Sequence, residues 1–167
     1  VTKAKQMVSL DTVSIDMPAG PSEVLVMSDD TANPDFVAAD LLSQCEHGKD
    51  SQCIFLTTSE KLLDQVQASI TKQVQERKRQ DLRLSSLKYS RLILLASEAE
   101  MIEFSNEYAP EHLIIHTKDY MQTAKSINNA GSVFFGNYSP ESAGDYASGT
   151  NHTLPTNSYA KNYSGVN

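Results

Sequence analysis

No run of apolar residues in this 167-residue sequence approaches the roughly 20 needed to span a bilayer. Cysteine is scarce: Cys45 and Cys53 form no C-x-x-C pair, and so sparse a pair reads as free thiols in a reducing compartment, so a cytoplasmic protein is expected. Positive charge is outnumbered, with 14 Lys and Arg against 21 Asp and Glu. The resulting net charge of −7 argues against nucleic acid or an anionic membrane as a partner. Neither G-x-G-x-x-G nor G-x-x-x-x-G-K-[ST] occurs, so the residues alone specify no nucleotide or nicotinamide site. Internal repeats and low-complexity segments are also missing. The length suits one domain with a real core. The chain opens at Val1 without Met and closes on the polar "NYSGVN", so it is expected to be a piece of a longer protein, and a missing signal peptide then says nothing. N-x-[ST] triplets begin at Asn137, Asn151 and Asn162; chance in an Asn- and Ser-rich stretch accounts for them.

What is present is an alternation of strands and helices. "SEVLVMS" (22–28), "QCIFLTT" (52–58), "SRLILLA" (90–96), "HLIIHT" (112–117) and "SVFFG" (132–136) read as buried strands. Between them, "NPDFVAADLLSQCEH" (33–47) has Asn33 as N-cap and Pro34 at the first helical position. Ser59 caps a long amphipathic helix that ends in the charged "QERKRQD", best read as a solvated face. Helices are also predicted over 97–109, stopped by Pro110, over 119–131 with a Gly C-cap, and over 139–148. The spacing is that of βαβ units. It predicts an α/β fold with a mostly parallel sheet and helices on both faces, Rossmann-like but incomplete.

Four pieces carry candidate chemistry: Ser22, Gln44 with His47, Glu111 with His112, and Asp145 with His152. Ser22 precedes a strand, Gln44 and His47 sit between a helix and a strand, and Glu111 and His112 open a strand. In a parallel sheet all such junctions fall on one edge, where strands begin. Asp145, late in a helix following the last strand, returns to that edge. Ligands of open α/β sheets normally lie at the opposite edge, so either the convergence is accidental or this domain supplies one wall of a shared site. Singly, each residue has an ordinary explanation: a turn serine, a His favourable to a helix C-terminus, an exposed Gln, a loop acid. Together they place imidazoles, carboxylates and an amide on one edge. Gln44, His47 and Asp145 could hold zinc, with Gln an unusual neutral ligand and a fourth position left over. Glu111 and His112 could form an acid–base pair. "EHLIIH" is not H-E-x-x-H: the order is wrong and the segment reads as strand.

At these same motifs the sequence resembles the histidinol dehydrogenase family. "DMPAGPSEVLV", "NPDFVAADLLSQCEHGKDSQ", "NEYAPEHL", "AGSVFFGNYSPESAGDYASGTNHTLPT" and "YSGV" carry the resemblance, in order, along nearly the whole chain, most weakly at 60–95. The resemblance implies a zinc- and NAD-dependent enzyme that oxidises L-histidinol to L-histidine in two hydride transfers, through an aldehyde held on the enzyme. It implies Gln44, His47 and Asp145 as metal ligands, with a further His beyond Asn167. Glu111 and His112 would be the catalytic pair. Ser22, Gln44, His47, His112, Asp145 and His152 would contact substrate. NAD would be held mainly by a domain preceding this stretch, and a homodimer partner would complete the site. Residues 1–21 would end that preceding segment, 22–152 would be the α/β segment carrying the site, and 153–167 would lead to missing elements. Cys45 would be a packing residue pointing away from the Gln44–His47 face. Alone, the stretch is expected to be inactive. A zinc hydrolase using Glu111 as base, or a non-catalytic structural remnant, are the alternatives.

Overall fold

The computed structural model describes residues 2–11, 13, 20–76, 80–149 and 154–162. Its centre is a sheet of five parallel strands: β1 (Glu23–Ser28), β2 (Gln52–Thr57), β3 (Arg91–Leu94), β4 (His112–His116) and β5 (Ser132–Phe135), in the order β3-β2-β1-β4-β5. The helices are α1 (Thr2–Ser9), α2 (Pro34–Gln44), α3 (Glu60–Glu76), α4 (Gln80–Leu87), α5 (Glu98–Tyr108), α6 (Tyr120–Ala124) and α7 (Glu141–Ala143), with a π-helical turn at Gly144–Ser148 and a 3₁₀ turn at Tyr159–Lys161. This is the α/β, Rossmann-like fold expected from the alternation.

A strand covered on both faces needs apolar side chains at every position, not at alternate ones. β1 meets that demand over Val24–Met27, and its polar end residues Glu23 and Ser28 are buried as well. Its alternate side chains feed two cores. Val24 and Val26 join Phe55, Ile114 and the inner faces of α2 and α3; Leu25 and Met27 join Ile54, Leu56, Leu113, Ile115 and Met101 of α5. On α3 the buried Leu62, Val66, Ile70 and Val74 recur at three- and four-residue spacing. Asn33 caps α2 by accepting from the Asp35 N–H at 2.9 Å, and Ser97 caps α5 by accepting from the Glu100 N–H at 3.2 Å.

Several expectations needed correcting. α2 ends at Gln44, so His47 lies in the turn after the helix, where its N–H donates to the Gln44 carbonyl at 3.2 Å. α4 had no sequence signal. Among the described residues β3 is an edge strand, paired with β2, and half-exposed where a buried strand was expected. The helix expected over 119–131 stops at Ala124, because Asn106 of α5 captures the following backbone, accepting from Asn128 N–H at 2.7 Å and donating to the Ser126 carbonyl at 2.9 Å. Gly131 is therefore not a helix cap. It is needed for close approach: a Cβ there would sit 2.5 Å from the Glu111 carbonyl oxygen. The helix expected over 139–148 is a three-residue α-turn continued as the π-turn. Among the described residues no helix is long and apolar enough to cross a membrane.

Candidate functional site

The register fixes the site. Val24 pairs with His112 and His112 with Ser132, so the starts of β1, β4 and β5 are level. Ala109 ends α5 in the left-handed conformation (φ 51°), and Pro110 turns the chain so that Glu111 and His112 meet the start of β1. Glu111 Oε2 accepts from Ser22 Oγ at 2.6 Å and from the Glu23 N–H at 2.9 Å. The imidazole of His112 lies with Nδ1 3.1 Å from the Glu23 carbonyl and 3.6 Å from Glu111 Oε2. A carbonyl can only accept, so Nδ1 carries a proton, and in the neutral ring Nε2 is the nitrogen with the lone pair. Both residues are buried. Beside them Glu23 is buried as well. Burial pushes its carboxyl above the usual value of 4.5, the charge of Glu111 adds to this, and the bond from the Asn157 N–H opposes it.

Gln44, the last residue of α2, is completely buried, and among the described residues neither its amide oxygen nor its amide nitrogen has a hydrogen-bond partner. This is no surface glutamine. Buried polar groups are normally paired, so an orphaned buried amide fits a carbonyl whose partner is a metal ion. His47 lies one turn on, its side chain 44% exposed beside an open cleft of about 520 Å³ lined by Gly20, Ser22, Asp50 and Ser51. An amide oxygen and an imidazole nitrogen are both competent zinc donors, and the described residues fit a metal to that extent. No group of three His, Cys, Asp or Glu poised for a metal exists among the described residues. The Asp145 backbone belongs to the π-turn, but its side chain lies outside the described set, as does all of His152.

One residue had no sequence signal. Glu141, first in α7 and buried, places Oε1 3.7 Å from His47 Nε2 and 3.8 Å from His112 Nε2. It arrives there because the chain passes from Asn137, bonded to His116 at the far edge of β4, back to the near edge in four residues. Around the site, Glu46 pairs with the buried Arg83 of α4, anchoring the turn between Gln44 and His47. Cys45 packs in the core as expected; its Sγ lies 3.3 Å from that of Cys53, both as free thiols.

Ser22, Glu111, His112, Gln44, His47 and Glu141 therefore gather at the edge where strands begin. The profile of the histidinol dehydrogenase family matches residues 1–167. The chain belongs to the histidinol dehydrogenase family. It is 64% identical over 166 residues to histidinol dehydrogenase of Bacteroides fragilis and 60% identical to that of Bacteroides thetaiotaomicron, covering 99% of this chain and 39% of each relative. The crystal structure of histidinol dehydrogenase from Elizabethkingia anophelis superposes with a TM-score of 0.94 at 58% identity, covering 99% of this chain and 38% of that one. The chain thus spans about two fifths of the length of these relatives.

Proposed function

We propose that the full-length parent of this chain oxidises L-histidinol to L-histidine, in histidine biosynthesis, with zinc and two molecules of NAD. Membership of the family supports the reaction class, and the relatives named above are dehydrogenases, which disfavours the hydrolase alternative. The observations that carry the reading are the orphaned, buried Gln44 amide, three residues before His47, and the ordered Glu111–His112 pair.

Gln44, His47 and Asp145 would hold zinc, which would supply Lewis acidity and a fixed anchor for the amine and imidazole of the substrate. His112 Nε2 accepts the alcohol proton. Its ring is already in the required tautomer, because Nδ1 donates to the Glu23 carbonyl. Glu111 takes a proton from the water that adds to the aldehyde carbon. Its Oε2 is occupied by Ser22 and Glu23, so Oε1 is the oxygen assigned to that water. Ser22 holds Glu111 through its hydroxyl proton and keeps lone pairs for substrate. Asp145 and His152 are assigned substrate contacts through the family resemblance. NAD's share of the site is assigned to other segments of the parent, and a homodimer partner to its completion.

The test uses the full-length parent. Histidinol-dependent NAD reduction should be present. Glu111→Gln should impair oxidation of the aldehyde on the order of 10²–10⁴-fold while sparing the alcohol half-reaction. His112→Gln should depress turnover while leaving zinc content intact. Equal loss in both half-reactions for Glu111→Gln, or loss of metal with His112→Gln, refutes these roles.

A further inference from the structure

We infer that Glu141 is a positioning residue, a single fixed carboxylate that aligns His47 and His112 with each other. The inference rests on the proposed histidinol oxidation and deepens it.

The geometry is specific. Glu141 is 3% exposed, and its Oε1 lies 3.7 and 3.8 Å from the Nε2 atoms of two imidazoles that come from different segments. Burying a carboxylate this completely is costly unless positive or donor groups face it. Among the described residues, both rings face Oε1. The approach to His112 is through Nε2, the nitrogen that is free to take a proton in the neutral ring because Nδ1 donates to the Glu23 carbonyl. When Nε2 takes the substrate proton, the ring becomes an imidazolium. Glu141 then faces the new N–H, while Glu111 Oε2 stands 3.6 Å from Nδ1 on the other side. A carboxylate aimed at charge that forms only during reaction favours that state over the resting one. On the other ring, a carboxylate near a nitrogen of a ligating histidine is the usual means of fixing ring orientation. Glu141 thus sets the spacing between the group that anchors the substrate and the group that takes its proton. The fold pins it at both ends: the chain leaves the far edge at Asn137, whose Oδ1 lies 2.9 Å from His116 Nδ1, and Glu141 starts α7.

The experiment compares Glu141→Gln and Glu141→Asp in the full-length parent, with four readouts: zinc affinity by titration into metal-stripped protein, unfolding midpoint, and kcat and KM for histidinol at saturating zinc. Glu141→Gln preserves size and removes charge. It should weaken zinc about tenfold, lower zinc-saturated kcat on the order of 100-fold, and leave KM within about threefold. Glu141→Asp keeps the charge but withdraws it by one methylene, and should retain about tenfold more kcat than the Gln variant. A kcat for Glu141→Gln within threefold of wild type overturns the inference. So does equal impairment of the Gln and Asp variants, which would mean that charge is not the agent. Should Glu141→Gln fail to fold, the Asp variant decides: an intermediate loss of kcat at unchanged unfolding midpoint supports the role, and wild-type kcat and zinc affinity refute it. Absence of histidinol-dependent NAD reduction in the wild-type parent would instead refute the proposed reaction.

Discussion

Replacing Gln44 by Leu should make the metal-free chain more stable. The side chain is fully buried, and its amide oxygen and nitrogen both lack partners among the described residues. Each unsatisfied buried group costs roughly 1–3 kcal/mol. Leu is of similar volume, carries no polar atom, and is at least as good a helix former at the end of α2. Taking the low end for each of the two amide groups, the gain is about 2 kcal/mol. For a domain of this size that raises the thermal midpoint by roughly 4–8 °C, and with a slope of about 2 kcal/mol per molar it raises the urea midpoint by about 1 M. Urea unfolding of the chain in the presence of chelator, followed by circular dichroism, measures it. The sign is the test. A loss exceeding about 1 kcal/mol would mean that Gln44 is satisfied in the folded protein and that its burial is structural. The same substitution in the full-length parent should abolish zinc retention, so that stability and metal binding move in opposite directions, as expected where a site keeps a buried polar group for function.

Glu23→Gln isolates a second strained group. The folded carboxyl titrates above 4.5, so the native state binds more protons than the unfolded state in the window just above that value, and wild-type stability falls as pH rises through it. Glu23→Gln retains an oxygen for the Asn157 N–H, should remove that decline, and should be more stable than wild type at neutral pH; parallel pH–stability curves would refute the shift. Glu46→Ala should destabilise the chain by about 2–3 kcal/mol, below the full value for a buried pair because Glu46 is 35% exposed while Arg83 is left as a buried cation. Adding Arg83→Met should recover most of this in denaturant unfolding, and an additive loss would show that the pair does not anchor α4.

Much of the architecture is local and was readable from residues. β1, β2 and β4 announce themselves as short apolar runs, α2 by Asn33 and Pro34, and α3 by its three-to-four spacing, because backbone preference and burial on one face act over neighbouring residues. The edge on which Ser22, Gln44, Glu111 and His112 meet was also readable, since in a parallel sheet every helix-to-strand junction shares one edge. Tertiary structure decided the rest. Gln44 reads as an ordinary exposed helix residue, and only the packing of the α2 end against the sheet buries its amide. Glu141 reads as an acid in the first turn of a short helix; it becomes the neighbour of two imidazoles because the crossing from Asn137 brings it to the edge set by β4. α4 and its Arg83 had no periodic signal, and their placement depends on Glu46, 37 residues earlier. Gly131 looks like a helix cap until the Glu111 carbonyl is seen against it. In each case the deciding contact joins residues distant in sequence, where local propensity carries no information.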